Sequence, residues 1–101
     1  MIGIDITKIS RFKTMRSLPR FVQRLNISEE SPLVAAKTWA CLEALVKAEG
    51  RAYDYSAIRI EFPINSAPKI IDMHGTLTHQ YVLSLAHEDD IVVAVAMRIN
   101  A

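Results

Sequence analysis

"SPLVAAKTWACLEALVKAEG", residues 31–50, decides the architecture of this chain. Ser31 offers a capping hydroxyl and Pro32 a ring already set to helical φ, so the pair reads as a helix start. Gly50 supplies the left-handed residue that closes a helix. Residues 32–49 between them predict a helix ~27 Å long. It is apolar almost all round, which places it at the centre of a domain. Glu43 and Lys47 interrupt its apolar second half. Steps of three and four residues set Ala36, Ala40, Glu43, Lys47 and Gly50 along one stripe. That predicts a shallow groove of small residues with an acid and an amine in its floor. On spacing alone, Glu43 and Lys47 read as an ordinary one-turn ion pair worth roughly 0.3 kcal/mol.

Working outward, "IGIDIT" at 2–7 alternates, with Ile2, Ile4 and Ile6 on one side and Gly3, Asp5 and Thr7 on the other, as in a half-buried strand. By itself, Asp5 is an ordinary acid on the polar face of an edge strand. Next comes a basic segment holding Lys8, Arg11, Lys13, Arg16, Arg20 and Arg24 without an acid. It is an electrostatic handle for something acidic, and Pro19 divides it into two short helical pieces. After Gly50 the period changes. "AIRIEF" at 57–62 and "KIIDM" at 69–73 read as strands around a turn from Pro63 to Pro68. "HGTLTHQ" is a connector, "YVLSLA" at 81–86 a strand, "HEDD" a turn and "IVVAVAMRI" at 91–99 the last strand. That last strand is apolar on both faces, so it should be central, with Val92, Ala94 and Ala96 receiving the long helix. The class is α+β: an antiparallel sheet packed on a long central helix, as one domain over residues 1–101.

Half of the 101 residues are hydrophobic and the net charge is +1, the composition of a folded protein with no global preference for a partner. Cys41 has no cysteine to pair with and reads as core filler in a reducing compartment. "MIGIDI" lacks the basic start of a signal peptide, and no apolar run reaches the ~18 residues of a membrane span. The expected location is the cytoplasm. His74 and His79 lack a third ligand at metal spacing and read as turn residues, and Trp39 reads as core.

Asp5, Glu43 and Lys47 gain meaning in combination. Magnesium takes a few carboxylate oxygens, keeps waters and completes its shell with substrate phosphates, and a lysine can neutralise those same phosphates. The three segments that carry these residues and the chain end, "GIDI" at 3–6, "WACLEALVKAEG" at 39–50 and "SLAHEDDIVVAVA" at 84–96, resemble the signature motifs of the 4′-phosphopantetheinyl transferases. Length, motif order and the "RF…RF…R" segment at 11–24 are similar to the short, holo-[acyl-carrier-protein] synthase type.

The resemblance implies the phosphopantetheinyl transferase fold. It also implies transfer of 4′-phosphopantetheine from coenzyme A to a serine of an apo acyl carrier protein, with release of 3′,5′-adenosine diphosphate, in fatty-acid or polyketide biosynthesis. Asp5 and Glu43 match the magnesium acids, and Lys47 matches a catalytic lysine on the phosphates. Gly50, Pro68, Ser84 and His87 match positions near coenzyme A. Arg11, Arg16, Arg20 and Arg24 are the equivalents of residues that grip the acidic carrier helix. The short type is a homotrimer with sites shared between subunits. Either Glu43 or a water would take the serine proton.

Departures from the family pattern bear on activity. Leu42 replaces the usual lysine before the glutamate, Ala86 stands where a second serine is common, and Ser66 or Ala67 replaces a glycine of the middle turn. A catalytically inactive homologue that binds carrier protein or coenzyme A is the alternative these substitutions suggest. An anion- or RNA-binding role for residues 8–24 is weaker, because few aromatics are interleaved for base stacking.

Overall fold

The computed structural model describes residues 1–99. Its long helix α3, Pro32–Glu49, starts and stops where the sequence predicts. The Ser31 hydroxyl accepts the Val34 amide, and Gly50 closes the helix at φ 80°. Against it lies a three-stranded antiparallel sheet built from β1 (Ile2–Lys8), β4 (Gln80–Glu88) and β5 (Ile91–Ile99), in the order β1-β5-β4. The last strand is central as expected, and Val92, Ala94 and Ala96 are wholly buried beneath the helix. Helices α1 (Ser10–Lys13) and α2 (Leu18–Arg24) carry the basic segment, with Phe12, Val22 and Leu25 buried. Their N-terminal end is tied to the sheet: the Asp90 carboxylate accepts from both the Ser10 amide (2.8 Å) and hydroxyl (2.6 Å).

Several expectations change. The strands β2 (Ile58–Glu61) and β3 (Lys69–Asp72) form their own two-stranded sheet instead of extending the larger one. Strand β4 continues through His87 and Glu88, so the turn to β5 is only Asp89-Asp90, with Asp89 at φ 53°. Ala36 and Ala40 do not line a groove; both are buried in the core.

The largest change concerns β1. Its small and polar side, Gly3, Asp5 and Thr7, faces the helix, while Ile2, Ile4 and Ile6 are 51–65% exposed. The cause is a close approach between strand and helix. A Cβ added at Gly3 would lie 1.9 Å from the Ala44 carbonyl oxygen and 2.6 Å from the Ala48 nitrogen. Only glycine against alanine permits that spacing, and it draws Asp5 in toward the helix two residues later.

Candidate functional site

Register fixes where Asp5 points. Asp5 pairs with Ala94 on β5, which in turn pairs with Leu85 on β4, so its carboxylate projects from the helix-covered face. The side chain is only 13% exposed. Oδ2 accepts the Thr7 hydroxyl at 2.6 Å, and Oδ1 accepts the Lys47 ammonium at 3.2 Å. Lys47 also donates to the Ile4 carbonyl at 2.9 Å. The one-turn Glu43–Lys47 ion pair therefore gives way, among the described residues, to a bridge from α3 to β1.

Glu43, one turn earlier on the same helix, is partly buried and accepts the Tyr55 hydroxyl at Oε2. Tyr55 belongs to the 3₁₀ turn Tyr55–Ala57 that follows α3. Burial, the bond to Glu43 and the negative charges of Glu43 and Asp5 together push its phenol well above the ordinary tyrosine range. One phenol thus feels both acids. A cleft of about 790 Å³ opens beside it, lined by Phe21, Arg24, Trp39, Tyr53 and Tyr55 among others.

The donor set suits magnesium. Among the described residues no three histidine, cysteine or acidic side chains cluster as a complete cage. Asp5 and Glu43 are both hard carboxylates, with Thr7 and Lys47 on Asp5 and the Tyr55 hydroxyl on Glu43. An ion that fills the rest of its shell with phosphate and water could be held once Lys47 turns from Asp5 to a phosphate. Lys47 supplies positive charge beside Asp5.

Other predicted residues lie elsewhere in one copy of the chain. Gly50 closes the helix at the end nearest Lys47. Ser84 pairs with Val95 and faces the opposite, uncovered side of the sheet from Asp5. His87 is exposed at the end of β4, in the same cross-strand row as Val92 and Thr7. Pro68 lies in the turn before β3 and lines a cleft together with Val82 and Leu83. The four arginines are all exposed. The Arg11 guanidinium lies over Trp39 at 5.2 Å and Phe12 at 5.5 Å, and Arg24 rims the aromatic cleft. Trp39 is half-buried on the core's edge rather than inside it.

Two groups correct the reading of the sequence. Leu42 is fully buried, with its carbonyl held by the Tyr53 hydroxyl, so residue 42 faces the core. Tyr55 was missed because a tyrosine in "AYDYSA" carries no periodic signal; only the fold brings it back to the helix. Cys41 is buried as expected, and burial pushes its thiol up to about 12, which makes it inert.

The chain is 28% identical over 107 residues to the holo-[acyl-carrier-protein] synthase of Mycoplasma mobile, a match covering 97% of this chain and 88% of that protein. Among solved structures, a holo-ACP-synthase from Plasmodium yoelii superposes with a TM-score of 0.76 at 21% identity, covering 96% of this chain and 91% of that one. The holo-(acyl-carrier-protein) synthase of Bacillus anthracis, solved in complex with CoA (3′,5′-ADP), gives 0.74 at 23% identity, covering 94% and 91%. No family model matches the chain. The resemblance read from the three motifs is thus borne out by sequence relatives and by fold alike.

Proposed function

We propose that this chain is a holo-[acyl-carrier-protein] synthase, moving 4′-phosphopantetheine from coenzyme A to a serine of an apo acyl carrier protein. One observation carries the reading. The strand acid Asp5 is bridged by Lys47 to the very helix that holds Glu43, in a fold whose relatives bear that name over nearly the whole chain.

The reaction forms a bond from the serine oxygen to phosphorus, breaks the phosphorus–oxygen bond to 3′,5′-adenosine diphosphate and releases the serine proton. As in other phosphoryl transfers, the protein's part is positioning and charge stabilisation. Asp5 and Glu43 would hold magnesium, which when bound supplies charge neutralisation at the coenzyme A diphosphate. Lys47, with its side chain 55% exposed, can leave the Ile4 carbonyl and donate to the departing diphosphate. The arginine-rich α1–α2 segment would meet an acidic carrier helix, since it holds no acid to repel one.

The proposal extends to a homotrimer. Ile2, Ile4, Ile6, Val82 and Met97 are each more than two-fifths exposed, and they share the uncovered face of the three-stranded sheet. An apolar face of this kind marks a contact between proteins. Ser84 belongs to that same face, so a neighbouring copy would bring it, with His87 and Pro68, to the coenzyme A bound by this one. Light scattering after gel filtration should give three chains per particle, and a monomer would refute the shared site.

Activity is tested directly. The purified chain, coenzyme A, magnesium and an apo acyl carrier protein should yield a carrier heavier by one phosphopantetheine. Coenzyme A binding without that gain would favour the inactive homologue that Leu42 suggests.

A further inference from the structure

Each acid of the site carries a neutral hydroxyl on one oxygen. Thr7 holds Asp5 Oδ2 at 2.6 Å, and Tyr55 holds Glu43 Oε2. Thr7 is two residues from its partner, so its bond is local. Tyr55 comes from beyond the helix, and the structure fixes it from several directions.

Its ring packs edge-on to Trp39, with centroids 5.4 Å apart, and beside Tyr53 at 5.3 Å. Tyr53 is itself tied to α3 by the 2.8 Å bond from its hydroxyl to the Leu42 carbonyl, one residue before Glu43. The turn beneath the ring is capped by the Asp54 carboxylate, which accepts the Ser56 amide at 3.0 Å and hydroxyl at 2.8 Å. A phenol locked in this way presents its hydroxyl at one point. The carboxylate it meets stands on the adjacent turns of a rigid helix.

We infer that Tyr55 is a positioning residue for Glu43: its hydroxyl occupies Oε2, fixes the carboxylate rotamer and leaves Oε1 as the oxygen offered to a divalent cation. The inference rests on the transferase reading for the purpose of that cation, but not for its binding. Groups that orient a metal's ligands typically change affinity or activity by about 10–100-fold when removed, and an effect of that size is expected here.

The test uses Mn²⁺ as the probe, titrated with coenzyme A present and followed by the loss of its free-ion electron paramagnetic resonance signal. Tyr55→Phe keeps the ring stack and removes only the hydroxyl, so thermal unfolding should barely move. Half-saturation should need about 10–100-fold more Mn²⁺, while transfer at saturating Mn²⁺ stays near the unaltered rate. In a Glu43→Gln background the same change should have no further effect, because the residue acts only through that carboxylate. Unchanged Mn²⁺ affinity in Tyr55→Phe overturns the inference, as does an equal loss in the Glu43→Gln background. An unaltered protein that binds no Mn²⁺ overturns both the inference and the transferase reading. One that binds Mn²⁺ yet transfers nothing sinks the transferase reading alone, and the Tyr55→Phe comparison still decides this one.

Discussion

Helix α3 carries two glutamates near its C-terminal end that share a chemical type and almost nothing else. The Glu49 side chain is completely enclosed. Its Oε1 accepts the Thr78 amide and hydroxyl, both at 2.7 Å, and lies 3.1 Å from the Arg51 guanidinium, while Oε2 accepts the Tyr81 hydroxyl. Glu43 is partly exposed and takes one hydroxyl, from Tyr55. A carboxylate has about four acceptor positions. At Glu49 the protein fills them, and the acid becomes a clasp between α3, the connector before β4 and β4 itself. At Glu43, among the described residues, the Tyr55 hydroxyl takes one of them and the rest stay open to a ligand. Saturation separates an acid that holds the fold from one that can do chemistry.

The contrast can be broken first at Glu43. Glu43→Gln should lower phosphopantetheine transfer by about 10²–10³-fold, the usual loss when one charge-stabilising group is removed. Stability in urea should change little. If the variant unfolds as readily as it loses activity, the division of labour drawn above is wrong.

Gly3→Ala should damage both properties together. The added methyl collides with the backbone of α3, so strand and helix must separate, at a cost of about 3 kcal/mol or more by analogy with overpacked interiors. Asp5 would move away from Lys47 in the same step. Chemical denaturation and transfer rates measured side by side should fall in parallel.

Glu49→Gln is the complement of the first substitution. It should destabilise the fold by about 1–2 kcal/mol, since it leaves the Tyr81 and Thr78 donors at the edge of the core poorly matched. Transfer per folded molecule should persist. A transfer defect at full folding would show that the clasp also shapes the cofactor end of the helix.

Acidity gives the smallest and most general effect. Burial pushes the Glu49 carboxyl up, but the bonds from Tyr81 and Thr78 and the charge of Arg51 outweigh it and hold the group below its ordinary 4.5. Asp72 is lowered likewise: amide bonds from Leu77, Thr76 and His74 overcome its burial. The unfolded chain therefore takes up these protons before the folded one does. The stabilisation they give is complete above about pH 4.5 and is lost as pH falls through the folded values. Urea midpoints should be level from neutrality down to that point and drop below it, less steeply in Glu49→Gln.

Much of this molecule was legible in its residues. Ser31, Pro32 and Gly50 marked the long helix because caps are local chemistry, and the doubly apolar run from Ile91 marked the central strand because both of its sides must be covered. What escaped depended on contacts remote in sequence. Alternation in "IGIDIT" gives two faces but not which one meets the helix; the answer lies in the space between Gly3 and Ala44, forty-one residues apart by their numbering. The same holds for the site. Asp5, Glu43 and Lys47 could be chosen from the resemblance, and the bridge from Lys47 to Asp5 accords with that choice. Tyr55 and the burial of Leu42 needed the fold. Among the described residues no helix is long and apolar enough to cross a membrane, in keeping with the sequence.

The seam at Gly3 has a mechanical consequence. Because main chain meets main chain there, the backbone distance between the strand that carries the first acid and the helix that carries the second is a fixed ruler, and only the side chains on it can turn. Changes to arginines, turns and hydrophobic filler elsewhere leave that distance alone, whereas any side chain at residue 3 forces it open.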